Sequence, residues 1–363
     1  MFDFIPINSY IPIYFNFILF VVLFSFLHFQ QLEMDDPRNI MFLRAGGVAL
    51  FVSLLLYIGF RPLNGIFVDM TTYAYMFNRW KEGKPTIANG DTGFFLFLEF
   101  CAKNLDIVFF FFLSALVYVG CIAIASIKFF GRYWYYSFIM IVSAFTFWAY
   151  GTNVIRCGMA SSIFLLAVSF HRKKFIMIAL LILSLSFHKS MTLPIFAFAL
   201  ANFYSNPRYF LGFWFLSIAM SIAFGGFWEL FFAGLGFGDD RTSYLTNHDN
   251  AAEFSRTGFR WDFLLYSATA VFSGWYFIFK KNFNDKFYHQ IYCTFLLANA
   301  FWILVIRANF SDRFAYLSWF LLGFVIIYPL LKERMLARQN LVIGSILVSF
   351  YLFTYFFLYI LAK

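Results

Sequence analysis

Charge is scarce in this 363-residue chain: Asp, Glu, Lys and Arg make up only 12% of it. A soluble domain carries about a quarter, so water cannot be the main solvent of this surface. Cysteine is scarce as well. Cys101, Cys121, Cys157 and Cys293 lie within or beside apolar stretches and form no CxxC pair, which argues for packing residues over disulfides or metal ligands. Five scattered histidines make no HExxH pattern, so no metal is expected. A P-loop is missing, and Asp35-Asp36 and Asp239-Asp240 are not DxD motifs. Nucleotide-driven chemistry therefore has no support, and no cofactor is expected. The N-terminus lacks the basic region and small-residue cleavage site of a signal peptide, so the first apolar run is expected to stay as a helix. The formal charge of +9 is no nucleic-acid signature, because no basic cluster is interleaved with polar linker.

What fills the chain instead is hydrocarbon. Hydrophobic residues make up 62% of it, and its 59 phenylalanines outnumber the 27 cations and 18 anions combined. The expected fold is all-α: a polytopic transmembrane bundle of about 12 helices in a single integral membrane domain, residues 1–363. Charged or turn-rich breaks place helices near 10–29, 41–60, 107–127, 134–150, 154–170, 175–188, 190–204, 209–226, 263–279, 288–306, 313–331 and 341–361. The apolar segment 93–104, with Glu99 and Lys103, reads as interfacial or re-entrant. Two longer hydrophilic loops remain, 61–92 and 227–262.

Short loops carry the sidedness signal. Lys128 with Arg132, the run Arg172-Lys173-Lys174, Lys280-Lys281 with Lys286, and Lys332-Arg334-Arg338 follow the third, fifth, ninth and eleventh spans, and Arg208 follows the seventh. All fall on one side, expected to be cytoplasmic, with both long loops opposite. The first loop fits less well, since Glu33, Asp35 and Asp36 outnumber Arg38.

A second group of polar residues falls at the outer face: Arg61, Asp69, Tyr73, Asn153, Arg156, His188, Lys189, Arg241, Arg256, Arg260, Arg307, Asp312 and Arg313. Positive charge there runs against the insertion bias and needs another reason. Any one of these arginines could simply snorkel or end a helix. Arg61, Arg156, Arg307 and Arg313 together suggest an anion held at headgroup depth, because a guanidinium fork grips phosphate bidentately and keeps its charge. His188 is the candidate general base, set against an imidazole merely bonded to backbone. Asp69 is the alternative base, or an N-cap. Tyr244, in mid-loop, could stack a sugar ring, whereas Trp228 and Trp261 at the loop ends read as the interfacial aromatic belt.

Four segments also resemble a known pattern. Arg61-Pro62-Leu63-Asn64-Gly65 with Asp69 and Tyr73, Asn153-Val154-Ile155-Arg156-Cys157-Gly158-Met159-Ala160, Phe187-His188-Lys189-Ser190, and Arg313-Phe314-Ala315-Tyr316 are similar, in this order, to motifs of EpsG-like proteins. These are Wzy-type polymerases of bacterial surface polysaccharide. Cys157 stands where that family usually has glutamine. The resemblance implies a multi-pass protein of the bacterial cytoplasmic (inner) membrane with its active site facing the periplasm or outside. It implies transfer of a glycan from undecaprenyl pyrophosphate to the non-reducing end of another lipid-linked repeat unit, without metal or nucleotide. Arg61, Arg156 and Arg313, supported by Arg307, would hold the pyrophosphate; Tyr73, Asn153, Tyr244 and Tyr316 would contact sugar; His188, Asp69 and Arg156 would be catalytic. The lipid-linked oligosaccharide, membrane lipids, a flippase and a chain-length regulator are the expected partners. An oligosaccharide ligase or other lipid-phosphate-dependent transferase would use a similar site. A flippase should place its charges near the bilayer midplane, where this chain has almost none.

Overall fold

The computed structural model describes residues 4–84, 90–234, 258–308 and 311–358. Every regular element among them is helical. An apolar segment in lipid must satisfy its backbone hydrogen bonds internally, and helix is the conformation that does so. Contacts divide the chain into two compact units, Met1–Met191 with Leu330–Tyr359, and Thr192–Pro329 with Ile360–Lys363.

The first unit holds α1 (Ile7–Gln31), α2 (Pro37–Gly59), α3 (Asp69–Lys81), α4 (Thr92–Asn104), α5 (Ile107–Phe130), α6 (Trp134–Val142), α7 (Phe145–Thr152), α8 (Ile155–Ser169) and α9 (Lys174–Phe187). The second holds α10 (Thr192–Phe203), α11 (Pro207–Gly234), α12 (Trp261–Trp275), α13 (Lys286–Leu304) and α14 (Ser311–Trp319). Helix α15 (Leu322–Lys332) begins in the second unit and ends in the first, where α16 (Gln339–Phe356) packs along α1.

Among the described residues, six helical stretches are long and apolar enough to cross a membrane: Ile7–Gln31, Pro37–Gly59, Ile107–Val142, Pro207–Phe232, Ser311–Lys332 and Gln339–Phe356. Ile155–Ser169 and Lys174–Phe187 are apolar but shorter. The expected span 134–150 is two short helices, parted where Ala144 turns extended (φ −70°, ψ 145°). The span 313–331 likewise parts into α14 and α15. The expected loop 61–92 contains α3, and the segment 93–104 is the helix α4. Of the expected loop 227–262, α11 takes the start, running to Gly234 through a kink at Phe224 (φ −137°). The stretch 235–257 lies outside the described residues.

Polar contacts define two ends of the first unit. At one, Asp35 of the α1–α2 loop pairs with Arg132 before α6 and with Arg334 after α15, each at 2.8 Å, and accepts the Tyr133 hydroxyl. This explains the acidic first loop: Asp35 is neutralised by cations of two other loops. Because α2, α7 and α9 run away from this end, Arg61, the α7–α8 break and the 188–191 turn collect at the other.

Candidate functional site

Arg156 is the second residue of α8. A cation in a helix's first turn opposes the helix dipole, so it needs an anion beside it. Asp91 supplies one: Arg156 Nη1 donates to Asp91 Oδ2 at 2.8 Å, and the Lys189 amide donates to Asp91 Oδ1 at 2.8 Å. Asp91 is 7% exposed and Arg156 is half-buried, so the pair is screened little by water. The backbone here is left-handed, φ +86° at Gly90 and +46° at Asp91. Glycine takes this conformation without strain at position 90, and a Cβ there would push the tip of the Lys189 side chain aside.

Aromatic rings wall this pair. The Arg156 guanidinium lies 6.0 Å from the Tyr73 ring and 5.9 Å from the Phe94 ring, which meet edge to face. Burial raises the Tyr73 hydroxyl pKa against the pull of Arg156. Asp69, half-buried at the start of α3, adds its charge to the surroundings of Tyr73.

His188, 6% exposed, has its Nδ1 3.2 Å from the Ser190 amide and 3.0 Å from the Ser190 hydroxyl. The amide can only donate, so Nδ1 accepts and the neutral ring carries its proton on Nε2. There the imidazole is a donor. That is the opposite of the proton-accepting face expected of a general base. Cys157 Sγ reaches the Tyr150 hydroxyl at 3.3 Å and Ser190 Oγ at 3.8 Å, which gives position 157 a role in joining α8 to the 188–191 turn.

Arg61 shares this end of the unit but does not open to it. It is 1% exposed; Nη1 donates to the Ile58 carbonyl at 2.6 Å and Nη2 to the Thr152 carbonyl at 3.2 Å. Phe111 and Phe67 flank it at 5.0 and 5.7 Å. Burial pulls its pKa down to about 10, so it stays charged at neutral pH. The fork expected on a pyrophosphate is instead turned on carbonyls at the C-terminal ends of α2 and α7, where a cation also complements both helix dipoles. Asn153, half-buried between α7 and α8, has a side-chain oxygen without a partner among the described residues.

The second unit carries the later candidates. Arg307 is exposed after α13, 5.8 Å from the Phe259 ring and close against Gly225, where a Cβ would fall 3.1 Å from its Nη1. Arg313 is half-buried in α14, and the buried Tyr316 hydrogen-bonds Asp312. Arg260 forms a bidentate pair with Asp262 at 3.0 and 2.8 Å. Tyr244, Arg241 and Arg256 lie outside the described residues.

The first unit thus brings Arg156, Tyr73, Asp69, Asn153, His188 and, more deeply, Arg61 to one end. Sequence reasoning missed Asp91. Its only signal was an acidic residue in Gly90-Asp91-Thr92 just before an apolar helix, a position aspartate often takes as an ordinary N-cap.

These features define a multi-pass membrane protein, helical throughout its described residues, with a partly buried arginine–aspartate pair at one end of its first unit. The chain belongs to the EpsG family, whose sequence model matches residues 46–363. The known function of that family is that of Wzy-type polymerases, which build polysaccharide in the membrane. No curated protein and no solved structure matches the chain.

Proposed function

We propose that this chain polymerises a bacterial surface polysaccharide, joining oligosaccharide repeats carried on undecaprenyl pyrophosphate. The growing glycan is the donor, and the non-reducing end of another lipid-linked repeat is the acceptor. The carrying observation is the Asp91–Arg156 pair at the end of the first unit opposite the Asp35 cluster, in a chain of this family. The positive-inside rule assigns Arg132, Arg334 and the Arg172–Lys174 run to the cytoplasm. Arg156 then faces outward from the cytoplasmic membrane. The reading of about twelve spans goes beyond the six long and two shorter apolar helices among the described residues.

In the reaction, an acceptor hydroxyl oxygen attacks the anomeric carbon of the donor. The bond from that carbon to the pyrophosphate oxygen breaks, and the lipid pyrophosphate leaves with the electron pair. Negative charge grows on the leaving group, so a fixed cation aimed there stabilises the transition state more than any other group can. Arg156 takes this role, aided by the positive N-terminal end of α8, while Asp91 holds its fork in place. Arg307 and Arg313 are assigned to phosphate, and Tyr73, Asn153 and Tyr316 to sugar. Arg61 positions the ends of α2 and α7. His188 donates from Nε2 to a substrate oxygen, and Asp69 becomes the base that takes the hydroxyl proton. The donor arrives activated, so no metal or nucleotide is needed.

Deleting the gene should abolish polymer and leave a single repeat capping the surface lipid. Complementation with Arg156→Ala, at normal protein level, should leave the same defect. Polymer of normal length in the deletion strain would sink the proposal, and lipid-linked repeats trapped on the inner leaflet would indicate a flippase.

A further inference from the structure

We propose that Lys189 is a second phosphate ligand beside Arg156, and that it selects a pyrophosphate carrier over a monophosphate. This rests on the reading that the substrate is lipid-linked, and it gives a role to a cation that the reading leaves unused. The Arg156–Asp91 pair is neutral as a whole, so by itself it draws an approaching anion only weakly. Asp69, near Tyr73, is a second acid, so without Lys189 the two acids would outnumber Arg156 there. Arg61 lies deeper, its fork turned on backbone carbonyls. Lys189 changes the balance. Its amide donates to Asp91 Oδ1 while Arg156 Nη1 holds Oδ2, each at 2.8 Å, so one carboxylate fixes both cationic residues. Asp91 precedes α4 yet makes no side-chain bond to that helix's first amides, the ordinary work of an aspartate in this position. Its two oxygens serve the site instead.

The Lys189 side chain follows the same turn. Its Cε occupies the space that a Cβ at position 90 would need, and its Nζ lies 2.7 Å from that point. A lysine that only snorkels stretches its stem toward water. This one is half-buried and folded over Gly90, next to the residue that holds Arg156. The backbone around it is held from two sides. Ser190 donates its amide to His188 Nδ1, and the first turn of α4 packs on the end of α9, where a Cβ on Gly93 would fall 2.2 Å from Ser186 Oγ. A guanidinium is a fork and an ammonium a point charge, so the two can divide a pyrophosphate between them. Arg156 meets the phosphate bonded to the sugar, whose oxygen takes the electron pair, and Lys189 meets its lipid-side neighbour. A monophosphate carrier offers no group for the second contact.

The test uses the full chain in phosphatidylethanolamine nanodiscs, with radiolabelled undecaprenyl pyrophosphate displaced by unlabelled undecaprenyl pyrophosphate, undecaprenyl phosphate or phosphatidylglycerol. The parent chain should bind the pyrophosphate about tenfold more tightly than the monophosphate. Lys189→Gln keeps the amide and most of the length but not the charge. It should weaken the pyrophosphate about tenfold and the monophosphate at most about twofold, and Lys189→Arg should restore most of the difference. Equal weakening of both carriers, or a preference that survives Lys189→Gln, would overturn the proposal. So would displacement by phosphatidylglycerol as effective as by undecaprenyl pyrophosphate. A parent chain that binds both carriers alike overturns it without any variant, which decides the matter if Lys189→Gln fails to fold. A preference kept in Lys189→Gln, where gene deletion abolishes polymer, removes only the role of Lys189. A preference lost in Lys189→Gln, where deletion leaves polymer unchanged, removes only the polymerase reading.

Discussion

Arg156 and Asp91 carry opposite charges 2.8 Å apart, with Asp91 almost fully buried. Such a pair aims its guanidinium, and the two residues should fail as a unit. Arg156→Ala is expected to lower the polymerisation rate about 100- to 1,000-fold. Arg156→Lys should recover only part of that, because an ammonium cannot fork onto phosphate. Asp91→Asn keeps the side chain's size and should cost up to about a hundredfold through misaim. Adding Asp91→Asn to Arg156→Ala should cost little more, since neighbours in one pair are not additive. Polymer synthesis in membranes with matched protein levels measures all four. Arg61 separates from this group by a different readout. Arg61→Met strands the Ile58 and Thr152 carbonyls and should cost about 1–3 kcal/mol, seen as a lower melting midpoint in detergent. Arg156 could be singled out in the sequence because topology gave no reason for its charge. The depth of Arg61 could not, because whether a fork meets phosphate or a carbonyl depends on a contact 91 residues away.

At the scale of elements, α8 reaches the site by passing very close to α7. A Cβ on Gly158 would fall 2.3 Å from the Tyr150 carbonyl oxygen, and a backbone atom cannot yield as a side-chain tip can. Gly158→Ala should therefore cost about 1–3 kcal/mol, lowering the melting midpoint and distorting Arg156 two residues earlier. At the opposite end, the Tyr133 hydroxyl, with Arg334 and Arg132, holds Asp35 below its ordinary pKa of 3.8. A depressed folded-state pKa gives stability that is full above about 3.8 and is lost as pH falls through the folded value. Asp35→Asn should melt earlier than the parent at pH 6, with the gap closing as both approach pH 3 in a detergent melting series. Long helices such as α1, α2 and α5 were legible because lipid forces an apolar run into helix. The α6–α7 break was not: residues on both sides of Ser143 are apolar, and hydropathy is blind to a turn within a buried run. Helix α3 was hidden for the converse reason, being too polar for a hydropathy reading to separate from a loop.

For the whole molecule, the decisive quantity is which end of the first unit meets the cytoplasm. Short loops rich in Lys and Arg resist translocation, and the Asp35 end collects Arg132 and Arg334 from separate loops. The Arg156 end holds α3, whose Lys81 lies 3.7 Å from Asp106 at the start of α5. Glu82, exposed just beyond, therefore marks the end where the chemistry is placed, and Lys173, exposed between α8 and α9, marks the other. Cys101, Cys157 and Cys293 are buried and Cys121 is half-buried, so background labelling of the native chain should be low. Glu82→Cys in intact cells or spheroplasts should react with a membrane-impermeant maleimide. Lys173→Cys should react only after the membrane is opened. The reverse pattern would turn Arg156 toward the cytoplasm, where a lipid-linked repeat already moved to the outer leaflet could not reach it. Labelling thus tests the sidedness that the proposed transfer requires, independently of any activity measurement.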